Sequence, residues 1–185
     1  GTPVERWRKP TETHQPPLSL QCSDDFADSL GLQWQFMGNW RADFYAVDGG
    51  LTLAALSAPD EILWNCPHVL TQKIAAPAFT AEVTLDARAL QIGEQAGFGL
   101  IGGQYAYIAL RRTAAGMRLV FVQSDGEAHQ ERVCEEIDAP AEQLALRMVL
   151  QPTGDDTARA AFAYQHQGDW RRFGEPFSPA RHTWV

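Results

Sequence analysis

The sequence is poor in the features that mark most biochemical classes. It has three cysteines, Cys22, Cys66 and Cys134, separated by gaps of 44 and 68 residues. No C-x-x-C or zinc-ligand spacing can be drawn from them, and an odd, sparse set is not a disulfide framework. They read as small buried hydrophobes, with a single disulfide left open. Basic residues are also scarce: 15 Lys and Arg stand against 23 Asp and Glu, a formal charge of −8. That balance lacks the positive footprint of nucleic-acid binding and has no attraction for an anionic membrane surface. No apolar run approaches the length needed to span a bilayer. The five histidines, His14, His68, His129, His166 and His182, form no H-x-x-x-H pair. No G-x-S-x-G elbow exists, and spacing alone supports neither a Ser–His–Asp nor a Cys–His set. There is no sustained 3.6-residue stripe and no internal repeat.

What is present points to β structure. The chain has 185 residues, enough for one large domain, and 45% are hydrophobic, enough for a sizeable core. Residues 1–23 read as an extended linker, because Pro3, Pro10, Pro16 and Pro17 fall there among polar residues. Beyond Phe26 the pattern becomes short runs broken by turn signals. Leu32 to Phe36, Leu51 to Leu53 and Leu144 to Leu150 alternate apolar and polar. Phe79 to Leu85 is a period-2 strand with its apolar residues at odd positions. Gln104 to Leu110 and Met117 to Val122 are nearly continuous apolar runs, as in strands covered on both faces. Phe162 and Tyr164 share one face of another strand. Helix propensity competes over Ala141 to Met148, but the alternation and the strand-like neighbours favour a strand. Asp48-Gly49-Gly50, Ala115-Gly116, Ser124-Asp125-Gly126, Gly154-Asp155-Asp156 and Gln167-Gly168-Asp169 supply turns between the strands. The fold class expected is an all-β, two-sheet antiparallel jelly-roll sandwich.

Chemistry is thin along this scaffold, and no residue is assigned a catalytic role. Gly97-Phe98-Gly99-Leu100-Ile101-Gly102 is a literal G-x-G-x-x-G, yet the segment after it is β-like, where a dinucleotide site needs a helix. Its glycines read as points of close strand approach or as a bend. Three carboxylate pairs, Asp24-Asp25, Glu135-Glu136 and Asp155-Asp156, are adjacent in sequence. Neighbours in a strand face opposite ways, so these pairs read as turns or caps rather than as the two facing carboxylates of glycoside hydrolysis. No cofactor is expected; a structural calcium at one such loop is the exception left open. Of the six tryptophans, Trp34 reads as core because it shares a face with Leu32 and Phe36. Trp40 and Trp64 stand undecided, and Trp184 is the best candidate for exposure.

Leu63-Trp64-Asn65-Cys66-Pro67-His68-Val69-Leu70-Thr71-Gln72-Lys73, followed by Pro77-Ala78-Phe79-Thr80-Ala81, resembles a known family. Gly93-Glu94-Gln95-Ala96-Gly97, Gln104-Tyr105-Ala106-Tyr107 and Gly174-Glu175-Pro176-Phe177 continue the likeness, and Pro3-Val4 and Arg8-Lys9-Pro10 resemble its interdomain tether. The family is the C-terminal concanavalin A-like domain of β-xylosidases and α-arabinofuranosidases of glycoside hydrolase family 43. The resemblance implies a sandwich over residues 24–185, lacking the last strand of its relatives, that packs on an N-terminal five-bladed β-propeller. The propeller carries the catalytic carboxylates. The resemblance also implies that a loop of the sandwich closes part of the pocket and offers one aromatic ring to an oligosaccharide. By motif position that ring is Trp184. The rival readings are an independent carbohydrate-binding module and a purely structural interaction domain.

Overall fold

The computed structural model describes residues 23–57, 60, 62–74, 76–125, 130–154 and 157–179. The expected linker and Trp184 therefore lie outside the described residues, apart from Ser23. Twelve strands are present among those described, in the order β1 (Trp34–Phe36), β2 (Tyr45–Val47), β3 (Leu51–Leu53), β4 (Leu70–Gln72), β5 (Phe79–Asp86), β6 (Gln95–Ile101), β7 (Tyr105–Thr113), β8 (Gly116–Ser124), β9 (Glu131–Asp138), β10 (Gln143–Pro152), β11 (Ala158–His166) and β12 (Asp169–Arg172). A 3-10 turn, Leu63–Asn65, precedes β4. Two four-stranded antiparallel sheets make the sandwich, ordered β6-β7-β8-β9 and β12-β11-β10-β5, and the pairs β1-β4 and β2-β3 form two small ribbons.

Period-2 alternation builds the core. Ala106, Ile108 and Leu110 of β7 and Met117, Leu119 and Phe121 of β8 face Leu144, Leu146, Met148 and Leu150 of β10 and Ala160, Phe162 and Tyr164 of β11. Phe79, Ala81, Val83 and Leu85, the odd positions of β5, pack against the same cluster. β10 runs through the segment where helix propensity competed. Pairing on both sides, with β5 and β11, decides the contest in favour of strand. The odd residues of β7 bury the opposite face: Tyr105, Tyr107 and Ala109 join Val120 and Val122 in a second cluster under Ile62, Leu63 and Trp64. This two-sided burial accounts for the near-continuous apolar runs of β7 and β8.

The hairpin signals act as expected at three turns. Gly49 takes φ 62° between β2 and β3, Gly116 takes φ 133° between β7 and β8, and Gln167 and Gly168 take φ 55° and 89° between β11 and β12. The face shared by Leu32, Trp34 and Phe36 requires correction. Leu32 is fully exposed, because the Trp34 amide closes a turn onto the Gly31 carbonyl at 3.1 Å and the strand starts only at Trp34. Trp34 is half-buried rather than core, with its ring against Phe26 and its indole N–H donated to Asp24 Oδ2 at 2.9 Å.

Gly97 and Gly99 lie inside β6 and no helix follows them, so the fingerprint reading fails on context. A β-carbon on Gly99 would sit 2.6 Å from the Ala106 carbonyl oxygen and 2.6 Å from Tyr107 Cβ, neither of which can swing aside. Gly99→Ala is therefore expected to destabilise the chain by about 2 kcal/mol. A β-carbon on Gly50 meets nothing within 4 Å, so Gly50→Ala should stay within about 0.5 kcal/mol of the parent. Urea denaturation of the two variants checks the contrast.

Candidate functional site

The outer face of β7 carries a partly buried polar network centred on Glu131. This residue opens β9 and lies in register with Ser124, on the face that Tyr105 and Tyr107 share. One carboxylate oxygen accepts the Leu63 N–H at 2.7 Å and the Tyr105 hydroxyl at 2.9 Å; the other accepts the Tyr107 hydroxyl at 2.6 Å. A directed chain feeds the second oxygen. Arg111 Nη2 donates to Gln95 Oε1 at 2.9 Å, Gln95 Nε2 donates to the Tyr107 oxygen at 3.3 Å, and Tyr107 donates onward to Glu131. A cation at one end and an anion at the other polarise every bond in the same sense.

Three rings lie in a row over this network. Trp64 and Tyr105 are nearly parallel at 6.4 Å and 10°, and Tyr105 and Tyr107 at 6.5 Å and 14°. The paired motifs at 63–81 and 93–107 therefore meet in space, with Trp64 of the first stacked on Tyr105 of the second. Tyr105 is wholly buried and Tyr107 nearly so. Burial first, then the hydrogen bond and charge of Glu131, pushes both phenols well above their ordinary value of 10.0. Burial and the Glu131 charge likewise push the Cys66 thiol up, favouring its neutral form.

This network is a clamp and not a catalytic pair, since it holds a single carboxylate whose oxygens are already engaged. The other carboxylates singled out in the sequence have structural partners too. Asp24 accepts from the Phe26 N–H and from Gln33 and Trp34, each at 2.9 Å, and Asp25 accepts from the Ala27 N–H at 3.2 Å. Glu135 accepts the Gly174 N–H at 2.8 Å, while Glu136 binds Arg118 at 2.8 Å on the other face. Asp155 and Asp156 lie outside the described residues. His68 packs edge-on against Phe44 at 6.0 Å, and burial holds it below its ordinary value. His166 ends β11 in register with Asp169. Cys66 and Cys134 are free thiols, half-buried rather than fully buried. Among the described residues no three His, Cys, Asp or Glu side chains cluster to hold a metal ion, and no helix is long and apolar enough to cross a membrane.

The tryptophans divide by their partners. Trp170 has the Arg147 guanidinium 3.8 Å over its ring, and Arg147 reaches Glu82 at 2.6 Å. Trp64 lies on Tyr105, Trp34 is tied to Asp24, and Trp40 is 61% exposed. A second polar feature is a cleft of about 420 Å³ at the β9 edge, lined by Gln123, Arg132, Cys134, Glu135, Gly174 and Glu175. No local sequence pattern signals this cleft, because its walls come from β8, β9 and the loop after β12. Glu131 carries no such signal either: it stands singly in a charged run, and only the register reveals its partners.

Two facing antiparallel sheets, with a covered outer face on one of them, define a lectin-like sandwich. Residues 23–181 match the family described as the beta xylosidase C-terminal concanavalin A-like domain, a domain of glycoside hydrolase family 43, and the chain belongs to that family. It is 22% identical over its whole length to a beta-xylosidase of Formosa agariphila and spans 34% of that protein. Two solved structures share its fold. One, a bifunctional GH43-CE protein of Bacteroides eggerthii, aligns at TM-score 0.73 with 19% identity, over 83% of this chain and 20% of that one. The other, an engineered GH43 glycoside hydrolase displaying both endo-xylanase and exo-arabinofuranosidase activity, aligns at TM-score 0.76 with 23% identity, over 92% and 36%.

Glu131→Ala removes the acceptor of two tyrosine O–H groups and of the Leu63 amide, and is expected to cost about 3 kcal/mol in urea denaturation. The raised phenols set a pH dependence. Their contribution is full below pH 10.0, the ordinary value, and is lost as pH climbs beyond it, because the unfolded chain ionises first. Unfolding free energy should therefore fall as pH rises from about 10 to 12, and less steeply in Tyr107→Phe.

Proposed function

We propose that this chain is the non-catalytic accessory domain of a glycoside hydrolase acting on xylan- or arabinan-derived sugars. In this reading it packs on an N-terminal five-bladed β-propeller and trims the propeller's pocket, with the Trp184 ring contributing to oligosaccharide binding. The observation that carries the reading is the family match over residues 23–181, in a chain that spans only 34% of a beta-xylosidase. The chemistry would be hydrolysis by an acid and a base carboxylate of the propeller, with inversion, and it needs no cofactor. The engaged state of Asp24, Glu131, Glu135 and Glu136 supports placing those carboxylates outside this chain.

The surface also supports a docked partner. Leu32, Met37, Trp40, Leu53 and Ile74 are exposed large apolar residues, and all five lie in the small-ribbon region. An independent carbohydrate-binding module would instead need a row of open aromatic rings or a polar groove. Among the described tryptophans only Trp40 is mostly exposed, and the Trp170 ring is already covered by Arg147.

Kinetics of an enzyme containing the propeller test the proposal. Deleting this domain should lower kcat/KM on xylo-oligosaccharides by about tenfold or more, and Trp184→Ala should raise KM with little change in kcat. Identical kinetics with and without the domain would contradict the pocket-trimming role.

A further inference from the structure

The cleft at the β9 edge is built by a register shift. β9 pairs Val133 with Val122 and Glu135 with Phe121, so Cys134 is an extra residue between them. A bulge of this kind places two consecutive side chains on one face and re-aims the residues beyond it. Here Cys134 packs towards the core, and Glu135 turns inward to accept the Gly174 N–H at 2.8 Å. Gly174 is locked in place with φ 78°, and a β-carbon there would strike the Phe121 ring at 2.2 Å. The segment after β12 is thus stitched to β9 through the Glu135 carboxylate, and the cleft lies between them.

Its lining offers both kinds of hydrogen-bonding group. The Gln123 amide donates and accepts, the Arg132 guanidinium only donates, and the Glu175 carboxylate only accepts. Among the described residues neither Gln123 nor Arg132 has a side-chain partner, and Glu175 meets Arg172 only at 3.9 Å, beyond hydrogen-bond range. One guanidinium against two carboxylates gives no surplus of positive charge for an anion. A volume of about 420 Å³ falls within the range of small-ligand sites.

We propose that this cleft is a binding site for a short neutral oligosaccharide, whose vicinal hydroxyls bridge Arg132, Gln123 and Glu175. The choice of a pentose-based ligand rests on the proposed function above. With no aromatic ring in the lining, binding is weak and reads hydroxyl geometry rather than stacking.

Xylotriose titrated into the 185-residue chain, followed by amide chemical shifts, tests the site. Saturable shifts should centre on Gln123, Arg132 and Gly174, with a Kd in the range of roughly 1 to 20 mM. Arg132→Ala and Arg132→Lys should each weaken binding by about fivefold or more, because a lysine keeps the charge but loses the planar fork. No saturable shift, shifts centred elsewhere, or unchanged binding in Arg132→Ala would overturn the site. Tighter binding of a uronic-acid oligosaccharide than of xylotriose would overturn its neutral specificity. If the chain fails to bind while domain deletion still alters the kinetics of the longer enzyme, only the cleft is lost; binding without a kinetic effect removes the accessory reading instead.

Discussion

The Glu131 carboxylate is the interaction on which the outer face of the molecule depends. Its three donors come from positions 68, 26 and 24 residues away in sequence. A β-sheet can bury a tyrosine ring at little cost, but it cannot leave the hydroxyl at the tip unpaired. Tyr105 and Tyr107 fill the outer face of β7 and carry two such hydroxyls into it. One acceptor with two oxygens satisfies both. It has capacity left for the Leu63 amide, and that bond fixes the 3-10 turn on which Trp64 rides. The covering layer over the sheet is thus held by a polar contact at its centre and by apolar burial around it.

β9 serves both faces of the sandwich at once. Glu131 points outward into the clamp, while Arg132, Cys134 and Glu135 turn inward to the cleft and core. The extra residue at Cys134 makes this division possible, since without it Glu135 would face away from Gly174. The same strand therefore ties down the covering turn on one side and the segment after β12 on the other. Its own side chains are mostly exposed, so its value lies in register and not in burial.

Alternation made much of the sandwich legible in the sequence. Phe79 to Leu85, Tyr105 to Leu110, Met117 to Val122 and Leu144 to Leu150 all become strands with the expected faces inward. β9 was not legible, because the bulge breaks its period and Glu131, Arg132, Glu135 and Glu136 mask the few apolar residues. The three-residue strands β2 and β4 are too short to show a period. At Trp34 the pattern misled, since an apolar Leu32 two residues earlier belongs to a turn. The resemblance of the 63–81 and 93–107 segments identified the family, and the structure supplies its physical basis: those segments are in contact through Trp64 and Tyr105. No local pattern pointed to the clamp or the cleft, because each gathers residues from separate strands.

A domain held in this way carries a covering turn pinned to its sheet. Its rigidity on the outer face requires that Glu131 hold the covering turn to the sheet. Amide hydrogen exchange at Leu63, compared between the parent chain and Glu131→Gln, tests that requirement most directly. The Leu63 amide should be protected in the parent and exchange about tenfold faster in the variant, while the amides of β10 and β11 keep their protection. Equal exchange at Leu63 in the two proteins would contradict a carboxylate clamp at this position.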